Sequence, residues 1–258
     1  MAAVIDLHSH ILPALDDGAR TLDESLAMAH IALADGITCL AATPHDMGLV
    51  PDFLNQVKER VAEVEAAFRE KGIELHPVMG SELYAVPDLA ARLRAGRALT
   101  LGGSRYFLLE FRLTDLPIYT AQLIFEVQAV GITPIVAHPA RNAAIQRDPN
   151  RLYDLVERGA LAQITSGSLT GIFGPQVQAT ARALVQHNLV HLIASDAHGT
   201  GPRGPWLSEA VDAAAELVGR EAAQAMVTTR SHAILADQLL AIEPPRRYLP
   251  RRRWFCSR

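Results

Sequence analysis

The chain has 258 residues, 49% of them hydrophobic, and a net charge of −4 from 24 basic and 28 acidic side chains. That length is ordinary for a single α/β barrel, and an acidic body argues against nucleic acid as the ligand. Cys39 and Cys256 alone cannot make a disulfide framework or a cysteine-rich zinc site; with no membrane-length apolar run and no basic leader, a cytoplasmic protein without membrane insertion is expected.

The first apolar run, 3–8 (AVIDLH), carries His8 and leads to His10. Strand alternation puts these two imidazoles on one face, a poor core and a good metal claw, although such a pair alone is more often a surface feature. Asp16 and Asp17 follow, just before Gly18. Thr21-Leu22-Asp23-Glu24 reads as a capping box opening a helix that stops at Gly36. The run 37–43 (ITCLAAT) ends short of His45, and Pro51 is expected to open a long helix ending at Gly72. The run 75–81 precedes Glu82, and 106–111 contains Glu110, with helices expected at 86–94 and 119–130. The run 132–137 precedes His138, with a helix at 150–158; 161–165 (LAQIT) precedes a helix at 174–187. The run 189–195 precedes Asp196 and His198, followed by helices at 206–217 and 220–227.

Seven strands, each followed by a helix, predict an α/β fold of the seven-stranded (β/α)7 barrel kind over residues 1–243. Residues 244–258 form a Pro/Arg-rich tail: Arg246, Arg247, Arg251, Arg252, Arg253 and Arg258 meet no acid there. Pro244, Pro245 and Pro250 forbid a regular amphipathic helix, so a solvated tail is expected, with contact to an anionic surface or an acidic partner as the alternative.

In barrels of this kind the chemistry sits where strands end. His8, His10, His45, Glu82, Glu110, His138, Asp196 and His198 all fall there. Each alone has a bland explanation. Together, so many imidazoles and carboxylates on one face would repel and desolvate one another severely without cations. A multinuclear metal site is expected, and mixed imidazole and carboxylate without thiolate suits Mn²⁺, Fe²⁺ or Zn²⁺. Arg141 and Arg203 follow ligand positions in mouth loops; a guanidinium fork suits phosphate oxygens, though each reads equally as a surface arginine near acids.

The segments IDLHSHILPALDDG, GITCLAATPH, GSELY, LLEF, PIVAHPARN, SLTGIFG and ASDAHGTGPRGP span residues 4 to 205. In them the chain resembles the polymerase-and-histidinol-phosphatase (PHP) superfamily, and within it the manganese-dependent protein tyrosine phosphatases of bacterial capsule and exopolysaccharide loci, the CpsB/YwqE type. The resemblance implies a distorted TIM-like barrel and three divalent ions, Mn²⁺ first, with Fe²⁺ or Zn²⁺ as alternatives. It implies one ion on His8, His10, Glu82 and Asp196, a second sharing Glu82 with Glu110 and His138, and a third on Asp17, His45 and His198. Asp17 rather than Asp16 matches the family's ligand, Asp16 being left to support the turn, and the resemblance tips Arg141 and Arg203 towards substrate phosphate. Two positions depart from the family pattern: Ala140 where an acid often precedes the first arginine, and Asp46 where a second histidine commonly follows ATPH.

The activity so implied is phosphomonoester hydrolysis by metal-activated hydroxide, with no covalent intermediate. The partner implied is a phosphotyrosine protein, the tyrosine-rich tail of a bacterial tyrosine autokinase. With aromatics at 5%, no clamp for a tyrosine ring is legible. The rivals are a small-molecule phosphomonoesterase of the histidinol-phosphatase kind, a phosphodiesterase disfavoured by the acidic body, and a non-catalytic metal-bound module docking on the kinase. An amidohydrolase with a bridging lysine is disfavoured because no lysine follows Lys71. A homo-oligomer is left open.

Overall fold

The structure is a computed structural model and describes residues 3–249. The apolar runs become strands because β-branched and apolar side chains fill both faces, as strands covered on two sides require. β1 (Val4–Ser9) leads to α1 (Leu22–Ala34), β2 (Ile37–Ala42), β3 (His45–Asp46) and α2 (Phe53–Lys71). β4 (His76–Met79) and β5 (Glu82–Tyr84) precede α3 (Leu89–Arg94), and β6 (Tyr106–Glu110) precedes α4 (Thr120–Ala129). β7 (Thr133–Ala137) is followed by α5 (Ala143–Arg147) and α6 (Asn150–Glu157), and β8 (Leu161–Thr165) by α7 (Ser166–Thr170) and α8 (Pro175–Gln186). Finally β9 (Leu192–Ala194) is followed by α9 (Ser208–Val218), α10 (Arg220–Ala225) and α11 (Thr229–Leu235).

All strand pairs are parallel, in two sheets ordered β1-β2-β4 and β3-β5-β6-β7-β8-β9. β3 continues β2 beyond Pro44, and β5 continues β4 beyond Gly80, so nine strands make the seven staves expected from the sequence. Pro44 has no N–H to give the ladder, which is why the second stave breaks there. The ring closes where Ser9 bridges Ala197. Beside that bridge the Asp196 N–H donates to the His8 carbonyl at 2.9 Å, and the His10 N–H to the Ala197 carbonyl at 2.8 Å.

Two apolar layers hold the barrel. Leu40, Phe107, Val136 and Ile164 pack outward against Val57, Leu152 and Leu184 of the helices. Ile5, Leu7, Leu108, Ile135, Leu161 and Leu192 fill the interior, with Leu101 and Ile234 in the same cluster. Strict alternation along β1 would send Leu7 and His8 to opposite faces. The β1–β2 register shifts between Asp6 and Ser9, however, and an extra residue of that kind re-aims a side chain, so His8 also turns inward and reaches Gln163 of β8.

The Thr21 side chain caps α1 by accepting from the Glu24 N–H. α2 starts at Phe53 rather than at Pro51, because Asp52 sits in the left-handed region at φ 58°. α5, α7 and α11 are too short for a helical period to announce them. In the tail, the Arg246 N–H donates to the His187 carbonyl at 2.8 Å, and the Tyr248 N–H to Asn150 Oδ1 at 2.8 Å. Arg247 lies 4.4 Å from the centre of the Tyr153 ring. Arg251, Arg252, Arg253, Arg258 and Cys256 lie outside the described residues. No described helix is long and apolar enough to cross a membrane.

His191, immediately before β9, is buried, and its Nδ1 accepts the Ala162 N–H at 3.0 Å in place of a strand bond. Burial and the nearby Arg230 charge push its pKa down to about 4. The folded state therefore refuses a proton that the unfolded chain takes up below about pH 6.5. Stability from this group is full above that value and is lost as pH falls towards 4. Urea denaturation at pH 7 and pH 5 should show wild type losing about 2 kcal/mol more than His191→Asn, whose amide oxygen can still accept the Ala162 N–H.

Candidate metal centre

The nine expected ligands and both arginines come together at the C-terminal mouth. A cavity of about 170 Å³ is lined by Asp17, His45, Glu110, His138, Asp196 and His198, with Arg141, Arg203 and Leu113 at its edge. His8, His10 and Glu82 are fully buried.

Outer partners fix the two histidines of β1. His8 Nδ1–H donates to Gln163 Oε1 at 2.9 Å, and His10 Nδ1–H to Asp16 Oδ2 at 2.6 Å. Each Nε2 is thereby left as a lone pair, and the two face one another at 3.2 Å. Glu82 Oε2 lies 3.2 and 3.6 Å from these nitrogens, and Asp196 Oδ1 3.5 Å from both. Four lone-pair atoms aimed at one point, without a donor among them, is the arrangement a divalent cation satisfies. Glu82 Oε2 and His45 Nδ1 are also buried and lack any hydrogen-bond partner, although they stand 3.1 Å apart. The donor set therefore fits metal.

Without a cation, protons must balance the carboxylates. Burial opposes charge on His10, yet hydrogen bonds to Asp16, Asp196 and Glu82 raise its pKa well above the ordinary value. Burial likewise opposes charge on Glu82, but His8 and His138 hold its carboxyl well below the usual range. Protonating both inner histidines would turn two N–H groups at one another, so a cation solves what protons cannot.

Three sets of ligand atoms lie mutually within 4.8 Å: His8, His10 and Glu82; His45, Glu82 and Glu110; and His10, Asp17, His45 and His198. The first coincides with the implied first ion, Asp196 standing beside it. In the second, His45 stands where His138 was implied, while His138 Nε2 meets the other Glu82 oxygen at 2.7 Å. The third adds His10 to the implied trio. His138 and Asp196 both have left-handed backbones, φ 35° and 54°, uncommon for such residues and frequent at functional sites.

Asp16 and Asp17 divide their work. Asp16 holds His10 and accepts the Gly18 N–H at 2.9 Å and the His45 N–H at 3.2 Å. Burial would raise its pKa, but the His10 bond and charge bring it down to about 2. Asp17 is exposed, its Oδ1 3.4 Å from His45 Nε2 and 3.3 Å from His198 Nε2. The turn demands glycine at 18, because a Cβ there would stand 2.0 Å from the His10 carbonyl oxygen.

Arg141 and Arg203 both reach the outer Asp196 oxygen, at 2.8 and 3.3 Å. Behind them lies Phe173, its ring centre 4.5 Å from the Arg141 guanidinium carbon and 6.0 Å from that of Arg203. Gly167 makes room for the ring, since a Cβ there would meet it at 2.9 Å. Phe173 belongs to SLTGIFG, but nothing local in that stretch announces an aromatic beside the arginines. Asp6 and Gln163 also support the site. The Asp6 carboxylate accepts the His8 and Ser195 N–H groups, and burial raises its pKa to about 6. A lone acid or amide inside an apolar strand is the signal both offered. At the second departure, Asp46 forms a buried pair with Arg92, whose Nη2 donates to both carboxylate oxygens at 2.7 and 2.8 Å. At the first, Ala140 is packed in the outer core, and Arg141 takes Asp196 as its carboxylate. Cys39 is half-buried, and burial raises its thiol to about 11, far from a thiolate nucleophile.

Residues 4–236 match a family model described as capsular polysaccharide synthesis, CpsB/CapC. The chain is similar to the tyrosine-protein phosphatase YwqE of Bacillus subtilis, 38% identical over 243 residues that cover 94% of this chain and 95% of that one. It also superposes on a crystal structure from the pair YwqE of Bacillus subtilis and CpsB of Streptococcus pneumoniae, unique metal-dependent tyrosine phosphatases. The TM-score is 0.90 at 37% identity, covering 95% of this chain and 99% of that one. An organophosphorus hydrolase mutant from Deinococcus radiodurans shares the barrel alone, with a TM-score of 0.52 at 17% identity over 91% of this chain and 92% of that one.

The division between the two aspartates is testable by calorimetric Mn²⁺ titration. Asp16→Asn, which weakens the partner orienting His10, should lower affinity for the ion on that histidine about 10- to 100-fold without changing stoichiometry. Asp17→Asn should instead remove one ion from the count. Equal, small effects from both would contradict the division.

Proposed function

The chain belongs to the CpsB/CapC family of capsular polysaccharide synthesis, and from that premise we propose that its barrel mouth hydrolyses phosphotyrosine on proteins. It is a metal-dependent tyrosine-protein phosphatase linked to capsular polysaccharide synthesis. One observation carries the reading: the four converging lone-pair atoms of His8, His10, Glu82 and Asp196 stand beside two arginines able to take phosphate oxygens. The substrate we propose is the phosphorylated tail of a bacterial tyrosine autokinase, met in the cytoplasm.

We assign three divalent ions, Mn²⁺ by preference. His8, His10, Glu82 and Asp196 would hold the first. Glu82 shared with Glu110 and His138 would hold the second, His45 also being within reach of that pair. Asp17, His45 and His198 would hold the third. Bound there, the ions supply an activated water for attack on phosphorus and neutralise charge on the phosphoryl group.

The chain's own side chains do the rest. Arg141 and Arg203 bind the non-bridging oxygens through planar forks, exchanging Asp196 for the phosphate. Phe173 restrains both guanidinium planes, so little freedom is lost when phosphate arrives. Leu113, the apolar residue lining the cavity, offers the tyrosine ring a surface. Gln163 and Asp16 hold the β1 imidazoles in the tautomer that keeps Nε2 free.

Turnover of a phosphotyrosine peptide, a phosphoserine peptide and histidinol phosphate, with Mn²⁺ and after chelation, tests the reading. Phosphotyrosine should be hydrolysed best, and chelation should abolish the activity. A preference for histidinol phosphate would move the protein to the small-molecule class, and inactivity on every ester with metal bound would leave a docking module. Cys39→Ser should keep the wild-type rate; its loss with normal metal content would refute a metal-borne mechanism. Phe173→Leu should lower kcat/KM about fivefold, the equivalent of about 1 kcal/mol of lost cation–π contact, while Phe173→Trp should restore it.

A further inference from the structure

At the opposite end of the barrel, a second cavity of about 250 Å³ opens between α8, α9, α10, α11 and the segment after α11. Its polar lining comes from Asn188, His191, Arg230, Glu243 and Arg246. His191 precedes β9 while the ligand Asp196 follows it, so this strand separates the cavity from the metal centre.

The two arginines here are held differently from most others in the fold. Arg92, Arg105, Arg141, Arg203 and Arg220 each pair with an aspartate. Arg230 and Arg246 are pinned by backbone carbonyls instead: Arg230 Nη1 donates to the His191 carbonyl at 3.1 Å, and Arg246 Nη2 to the Gln186 carbonyl. Carbonyl anchoring fixes a guanidinium without neutralising it. His191 Nδ1 is already taken by the Ala162 N–H, so Nε2 carries the proton, and that buried N–H has no partner. Glu243 supplies the cavity's carboxylate, and Val190, Leu217 and Met226 supply apolar walls.

We propose that this cavity binds a small hydroxylated organic phosphate. Two oriented guanidinium groups outnumber the single carboxylate, Glu243, whose charge reaches Arg230, and their forks match the charge and geometry of a phosphate better than those of a carboxylate. Glu243 accepts hydrogen bonds from hydroxyls, which a bare anion could not offer. Because Arg246 and Glu243 lie in the segment after α11, the ligand would clasp that segment to the barrel. The proposal stands independently of the reaction at the mouth.

The test is titration calorimetry on the full, metal-loaded chain with the phosphonate isostere of glucose 6-phosphate, which a phosphatase cannot hydrolyse. Arg141→Ala/Arg203→Ala serves as background, to silence phosphate binding at the mouth. One equivalent should still bind there, and Arg246→Gln should weaken it at least tenfold. Ala222→Phe, which fills the cavity and leaves both guanidinium groups intact, should abolish it while the melting temperature stays unchanged. Gluconate should bind at least tenfold more weakly than the phosphonate. No binding in the background, or binding indifferent to Ala222→Phe, would overturn the site; equal affinity for gluconate would overturn the phosphate assignment.

Discussion

Everything at the barrel mouth depends on one electrostatic constraint: more lone pairs are buried there than protons can satisfy. His8 Nε2, His10 Nε2, Glu82 Oε2 and Asp196 Oδ1 face a common point. In a low-dielectric interior such a convergence is severely unfavourable unless cations occupy it. The surrounding structure then makes sense as support. Gln163 and Asp16 set tautomers, Gly18 lets the turn approach His10, and strained backbones at His138 and Asp196 aim their side chains inward. The apolar barrel interior below supplies the rigidity against which that strain is held.

Much of this was legible in the sequence because barrel strands are strong signals and most of the polar candidates sit just where they end. His45, Glu82, Glu110 and His138 could be placed from the apolar runs that precede them. The two broken staves could not, since nothing in the apolar runs says that Pro44 and Gly80 each divide a stave between the two sheets. Nor could the supporting partners. Gln163 meets His8 across 155 residues, and Phe173 meets two arginines from different loops. Such contacts belong to closure of the barrel, which leaves no periodicity in the chain. The β1 register shift is another case: plain alternation puts His8 and His10 together but does not explain how Leu7 and His8 both turn inward.

The two departures from the family pattern have local structural answers. Asp46 is not a histidine substitute held out to solvent; its carboxylate is gripped by Arg92 and accepts the Gly48 N–H at 2.7 Å, fastening the loop that follows His45. A buried pair of this kind does little for net stability but fixes geometry strongly, because either partner alone would be an uncompensated charge. Ala140 leaves Arg141 with no neighbouring acid of its own, so Asp196 serves both as a cluster carboxylate and as the anchor for two guanidinium groups. That makes Asp196 the residue through which the cluster and the arginines are joined.

The seam of the barrel carries a consequence for how the protein is made. Its closing contacts run between the segment holding His8 and His10, on the first strand of the barrel, and the segment holding Asp196 and His198, which follows the last. A ribosome-bound chain that has not yet delivered β9 has the two-histidine claw but neither the last carboxylate nor the closing strand. Metal capture at full strength must therefore wait until the final stave is in place, so a truncated or stalled chain holds its ions weakly and remains without a working centre. Strong metal binding is thereby tied to closure of the barrel rather than to the two-histidine claw alone.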